Sequence, residues 1–311
     1  ELRDALGALK TAHLYPDKEY DQVLEGLSQL HGIPSKHFII GSGADEIIDL
    51  TMRVTLEPRD VMRNCPPAFS MFDVNGRLNR ADIVDIPRGN DFSYDFEGIQ
   101  KAIAKHNPKL MFIANPNNPD GTLIPNDLLE KLLDIPILLV IDEAYIDFCD
   151  RPSVDKKVLE RDNLAVIRTF SKWAGLAGMR LGYGIFPDQI AEMVFKAKQP
   201  YNVSVTALIA GLVTLKNKAK AVARIEKIIR NRDLLFEGLK EISWLDPIPS
   251  QANFVLCRVN KIPAKDVSQK LRQKGILIRY FDSPRLNNYV RISVGKKRQI
   301  ENLLILLNEI R

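Results

Sequence analysis

Two hydrophobic textures alternate through the first two thirds of the chain. Short, nearly continuous apolar runs occupy Asp60 to Asn64, Ala81 to Ile86, Lys109 to Ala114, Pro136 to Ile141, Leu164 to Arg168 and Leu181 to Phe186. Between them, at Ala44 to Leu56, Ser70 to Leu78, Asp95 to Ala104 and Pro125 to Leu133, apolar residues recur at helical spacing. The first texture predicts strands buried on both faces, the second amphipathic helices. Their alternation predicts an α/β large domain with a mostly parallel sheet flanked by helices.

From Ser204 the texture changes. Two long helical patterns run to Lys240, followed by an apolar run at Asn253 to Val259 and a helical pattern at Ala264 to Lys274. Short runs at Ile276 to Arg279 and Val290 to Ser293 precede a last helix, Lys297 to Leu307. This predicts a smaller α+β C-terminal domain. The expected division is a large domain at 16–203 and a small one at 204–311, with 1–15 in an N-terminal arm or the small domain. There are no internal repeats. In open α/β sheets a ligand sits beyond the carboxyl ends of the strands, so chemistry is sought just after each apolar run.

Composition narrows the class. Of 311 residues, 45% are hydrophobic and 27% charged, the balance of a globular protein. No apolar run approaches the roughly 18 residues of a membrane span. Glu1 to Lys10 reads as a charged amphipathic helix rather than a signal peptide. Cys65, Cys149 and Cys257 lie far apart, which suits a reducing compartment such as the cytoplasm and argues against a metal site. The net charge of +5 is a mild excess. Its densest run, Lys216 to Arg232, carries apolar residues at helical spacing and reads as a solvated basic helix face, not a nucleic-acid surface.

Four features follow apolar runs. Gly41-Ser42-Gly43-Ala44-Asp45-Glu46 is a glycine turn opening a helix, whose first amides suit a phosphate. Read alone it is more readily an Asp-capped helix. Asn115-Pro116-Asn117-Asn118-Pro119-Asp120-Gly121 is a rigid turn that either only connects or presents an amide to a ligand. Asp142 ends a buried strand, where a carboxylate is costly unless paired, by a cationic ring nitrogen or by a structural partner. Lys172, after Arg168-Thr169-Phe170-Ser171, is followed by a Gly/Ala-rich stretch and Arg180. A lone lysine is nearly always a surface residue, yet lysine also forms imines with carbonyl groups.

The order of these four features resembles the fold-type I pyridoxal-phosphate (PLP) aminotransferases, and more closely the histidinol-phosphate aminotransferase family. The resemblance runs from Tyr15-Pro16-Asp17 to about Leu306. It includes Phe69-Ser70-Met71, Gln199-Pro200-Tyr201-Asn202-Val203-Ser204, Ala252-Asn253-Phe254-Val255, Ile278-Arg279-Tyr280-Phe281-Asp282 and Arg291-Ile292-Ser293-Val294-Gly295.

What it implies is specific. Lys172 would hold PLP covalently and move a proton during turnover, with Asp142 paired to the ring nitrogen. Asn118 and Tyr145 would hydrogen-bond the ring's phenolic oxygen, and Phe69 would stack on the ring. Ala44, Asp45, Thr169, Ser171 and Arg180 would hold the phosphate. Tyr15 would reach the phosphate of a neighbouring subunit, implying a homodimer with shared sites. Arg279 and Arg291 would bind the anionic ends of histidinol phosphate and of 2-oxoglutarate or glutamate. No metal, nucleic acid or membrane enters this reading.

Three departures from the family pattern stand out. An Asn-Glu-Asn-Pro motif is expected upstream of Tyr15, and the sequence opens at Glu1, after its expected place. Asp120 stands where Thr is usual and adds a negative charge. Trp173-Ala174 follows Lys172 where Ala-Phe is common. The competing readings are a PLP decarboxylase acting on an amino-acid phosphate, a transaminase for aromatic amino acids, and a non-catalytic PLP-sensing domain. The last needs an attached DNA-binding module, and none is expected from these residues.

Overall fold

A computed structural model describes residues 1–17 and 20–310. Residue contacts divide the chain into two compact units. Unit 1 is Glu1–Asn115, Ile124–Ala144 and Arg151–Ala221; unit 2 is Pro116–Leu123, Tyr145–Asp150 and Val222–Arg311.

Unit 1 contains α1 (Leu2–Gly7), α2 (Asp21–His31), β1 (Phe38–Gly41), α3 (Ala44–Thr55), β2 (Val61–Asn64) and α4 (Met71–Leu78). There follow β3 (Asp82–Asp85), α5 (Phe96–His106), β4 (Leu110–Ala114), α6 (Asn126–Leu133) and β5 (Leu138–Asp142). It closes with β6 (Leu164–Thr169), β7 (Gly182–Ile185), α7 (Asp188–Ala197) and α8 (Val205–Lys216). The strands form one seven-stranded sheet in the order β1-β7-β6-β5-β4-β2-β3. β3, β2, β4, β5 and β6 pair in parallel, and β7 runs antiparallel to both β6 and β1. The sheet is therefore mostly parallel, as the alternating pattern implies.

Every residue of β4, β5 and β6 is buried, which is why these strands read as unbroken apolar runs. On one face, Phe112, Val140 and Ile167 pack with Ile47 and Ile48 of α3, Phe72 of α4 and Val194 of α7. Each such fully buried side chain contributes roughly 1.5–3 kcal/mol.

Unit 2 has its own core. The division falls inside α9 (Lys218–Lys240), and β8 (Leu245–Pro247), β9 (Phe254–Val259), α10 (Ala264–Gln273), β10 (Arg279–Tyr280), β11 (Tyr289–Ser293) and α11 (Lys297–Glu309) follow. Its strands form an antiparallel sheet in the order β10-β11-β9-β8. Val255 and Cys257 of β9 and Val290 and Ile292 of β11 pack against Leu235, Val267, Leu271 and Leu303 from the helices. Ile276 to Ile278 do not form the expected strand: only Arg279 and Tyr280 pair, so Arg279 begins the ladder instead of ending it.

Two segments distant in sequence join unit 2 through specific bonds. Arg232 of α9 is buried and donates to the carbonyls of Phe148 and Ala252 at 2.8 and 3.3 Å. It is thus not part of a solvated basic face. The amide of Gln251 donates to the Gly121 carbonyl at 2.7 Å.

Candidate active site

Register gathers the chemistry of unit 1 on one sheet edge. Ala114, the last residue of β4, is level with Asp142, the last of β5. Thr169, the last of β6, faces Gly182, the first of β7, and Gly182 in turn faces Gly41, the last of β1. The loops carrying Lys172 and the opening turn of α3 therefore leave from the same edge as Asp142. Asp142 is itself a strand residue, one position inside the element expected to stop before it.

The α3 turn is built for close approach. Gly43, at the helix N-cap, has φ of 84° and no side chain to bond the first-turn amides. A Cβ there would lie 2.6 Å from Nη2 of Arg180, and one on Gly182 would lie 2.4 Å from the amide nitrogen of Ala44. The two glycines let Arg180 and β7 press against the start of the helix. Arg180 donates to Oδ2 of Asp45 at 2.8 Å. Thr169 Oγ1 accepts the Ser171 amide at 3.1 Å and contacts the Leu181 carbonyl at 3.3 Å. First-turn amides and a guanidinium thus stand together at the start of α3, donors of the kind a phosphate requires.

Asp142 carries the electrostatic signature. It is buried, and burial pushes its carboxyl up to about 6. The Ala144 amide, 2.9 Å from Oδ1, and the Lys172 ammonium pull it back, while Asp45 pushes it further. A carboxylate so placed calls for a cation. Its neighbour Glu143 is satisfied locally by Arg168 Nη1 at 3.3 Å, the Val154 amide at 2.9 Å and the Ser153 hydroxyl. Even so, burial raises Glu143 to about 7. The neighbouring acid is thus committed to structure. Phe69 is half-buried and packs edge-on to Phe72, with centroids 5.7 Å apart.

Tyr15 is 81% exposed and stacks on Tyr201 at 4.6 Å between centroids.

The remaining expected residues belong to unit 2. Arg279 and Arg291 are direct cross-strand partners on β10 and β11, so their side chains share a face. The Arg291 guanidinium lies 4.8 Å from the Phe254 ring centroid and 5.8 Å from that of Phe281, and Arg279 lies 5.5 Å from Phe281. Among the described residues neither arginine forms an ion pair with a carboxylate, and Arg291 Nε is buried without a hydrogen-bond partner. Arg291 donates instead to Oδ1 of Asn118. Burial and the neighbouring Arg279 lower its pKa, opposed by Tyr145. Tyr145 packs edge-on to Phe254 at 5.1 Å. Like charges directly opposite on a sheet repel, a cost that an anion beside them would relieve.

Asp120 does not project a free charge. It is buried, and its oxygens accept from Asn117 Nδ2 and from the Thr122 hydroxyl and amide, the last at 2.9 Å. It builds the turn. Gly182 was open to recognition from sequence, because glycine inside a strand marks close backbone approach. The bond between Glu46 and Asn202, which ties the α3 turn to a distant segment, had no local signal.

The residues present fit a phosphate-bearing pyridine cofactor: a cup that added Cβ atoms would fill, and a buried carboxylate in want of a cation. Among the described residues no cluster of His, Cys, Asp and Glu could hold a metal ion. No helix there is long and apolar enough to cross a membrane.

Residues 1–306 match the family model "Aminotransferase class I and II". The chloroplastic histidinol-phosphate aminotransferase of Nicotiana plumbaginifolia is 44% identical over 305 residues, 98% of this chain and 74% of the relative. That of Roseiflexus castenholzii is 42% identical over 96% of this chain and 81% of its own. The crystal structure of the Sinorhizobium meliloti enzyme in complex with pyridoxal-5'-phosphate superposes with a TM-score of 0.89 at 25% identity, covering 100% of this chain and 86% of that one. The chain belongs to the class I and II aminotransferases and, among them, to the histidinol-phosphate aminotransferase family.

Proposed function

We propose that the chain is a PLP-dependent transaminase moving an amino group between L-histidinol phosphate and 2-oxoglutarate in histidine biosynthesis. The observation that carries the substrate class is the cross-strand pair of Arg279 and Arg291, two guanidinium groups on one face without carboxylate partners among the described residues. It suits a donor with a phosphate and an acceptor with two carboxylates. The cofactor, when bound, supplies an electron sink for the charge left at the substrate α-carbon. Lys172 would hold it covalently and would move a proton at that α-carbon. Asp142 would keep the ring nitrogen protonated, and Asn118 and Tyr145 would hydrogen-bond the ring oxygen. Phe69 covers the ring face. The amides of Ala44 and Asp45, with Thr169, Ser171 and Arg180, hold the phosphate.

A homodimer is part of this reading, with Tyr15 completing the phosphate site of the partner; its exposed ring supports that role. Three free cysteines, two of them buried, support a reducing compartment such as the cytoplasm.

The test is a paired assay of histidinol phosphate and phenylalanine at fixed 2-oxoglutarate, with glutamate and carbon dioxide both followed. Glutamate formed preferentially from histidinol phosphate is the expected result. A preference for phenylalanine, or carbon dioxide released without a keto acid, would overturn it.

A further inference from the structure

The turn that opens α3 is fixed by side chains to which the transamination reading gives no role. Gly43 cannot cap the helix, so the first-turn amides are left to a ligand and something else must hold the turn. Glu46 folds its carboxylate back, and Oε2 accepts the Ser42 amide at 2.5 Å. The same oxygen accepts Nδ2 of Asn202 at 2.7 Å, and that Nδ2 lies 3.3 Å from the Ile40 carbonyl. Asn202 Oδ1 accepts from the Tyr20 hydroxyl at 2.9 Å and lies 3.4 Å from Lys198 Nζ. The Tyr20 hydroxyl accepts the Val203 amide at 3.3 Å, and Lys198 stands 4.8 Å above the Tyr20 ring. Tyr20 and Tyr201 both take left-handed backbone angles, with φ of 59° and 61°, at the bends that bring these segments together. One amide, Asn202, therefore ties the end of β1 and the first turn of α3 to the segment before α8.

We infer that Glu46, anchored through Asn202 and Tyr20, is a positioning residue for the phosphate cup, pinning the Ser42 amide so that those of Ala44 and Asp45 remain directed to the phosphate. This rests on the reading of the α3 N-terminus as the phosphate end of the site. Simple electrostatics gives the opposite expectation. A carboxylate one turn from a phosphate repels it, so removing the charge should tighten binding. Removing a positioning contact should loosen it. The sign of the effect decides between them.

The experiment titrates cofactor-free protein with PLP and with pyridoxal, which lacks the phosphate, following absorbance. Glu46→Ala and Asn202→Ala should each weaken PLP binding about ten- to hundredfold, the range for losing a charge-assisted hydrogen bond. Pyridoxal binding should stay unchanged. Glu46→Gln keeps one acceptor oxygen and should recover most of the affinity. Circular dichroism and melting curves check that each variant folds, and Asn202→Ala decides the matter if Glu46→Ala does not. PLP bound as tightly as by the parent, or more tightly, would overturn the inference. So would equal losses for PLP and pyridoxal, which would indicate general disruption. Arg180→Ala separates the two levels. If it leaves the preference for PLP over pyridoxal intact, the cup itself is misread; if it lowers the preference while Glu46→Ala leaves it unchanged, only the positioning role fails.

Discussion

Replacing Asp142 by Asn tests the electrostatics of the site without any substrate. In cofactor-free protein the Asp142 carboxyl titrates near 6 instead of 3.8, chiefly because it is buried. Ionising it in the folded protein therefore costs roughly 3 kcal/mol more than in the unfolded chain, at 1.36 kcal/mol per pH unit. The sign follows from linkage. A carboxyl raised on folding binds its proton more tightly in the native state, so stability falls as pH rises from about 4 to about 6 and is level above that. The Asp142→Asn variant has nothing to ionise at this position, and Glu143, raised to about 7 by burial, is present in both proteins and cancels in the difference. Urea unfolding of both proteins between pH 4.5 and 7.5 should show the parent losing about 2 kcal/mol relative to the variant, mostly below pH 6.5. The introduced amide leaves donors to satisfy, which shifts the whole difference by about 1–3 kcal/mol without giving it a pH slope. Saturating PLP should cancel the parent's loss, because a ring cation partners the carboxylate and not the amide. A difference independent of pH would refute the account of Asp142 as a carboxylate short of a cation.

Other outcomes can be checked directly. Borohydride treatment of the cofactor-loaded protein should fix the label on Lys172, and a peptide map with the label on another lysine would remove that assignment. Gly182→Ala places a Cβ against the Ala44 amide and should weaken PLP more than pyridoxal in the same absorbance titration; equal affinities to the parent would mean that the close approach is not needed. Arg279→Ala should lower kcat/KM for histidinol phosphate about tenfold or more, with a smaller loss for histidinol, as expected for truncating one charged contact. Equal losses on the two donors would mean that Arg279 does not read the phosphate.

Much of this protein is local and was legible as such. The alternation of apolar runs and helical patterns follows from the two side-chain periods, and the observed elements from α3 to β7 keep to it. Lys172, Asp142, Thr169, Ser171, Arg180, Ala44 and Asp45 could be placed after apolar runs because a parallel sheet exposes its loops at the strand ends. Local pattern failed where partners decide. Ile276 to Ile278 have strand-like composition but no ladder to join. Arg232 belongs by spacing to a basic helix face, yet two carbonyls of unit 2 bury it. Asp120 reads as an added charge until Asn117 and Thr122 are seen to engage it. The reversed direction of β7, the attachment of Pro116–Leu123 and Tyr145–Asp150 to unit 2, the facing of Arg279 with Arg291 and the bonds of Glu46 to Asn202 all join residues far apart in the chain. An apolar residue carries its preference for burial wherever it stands. A hydrogen bond or a charge has meaning only once its partner is in place, and that the tertiary structure alone decided.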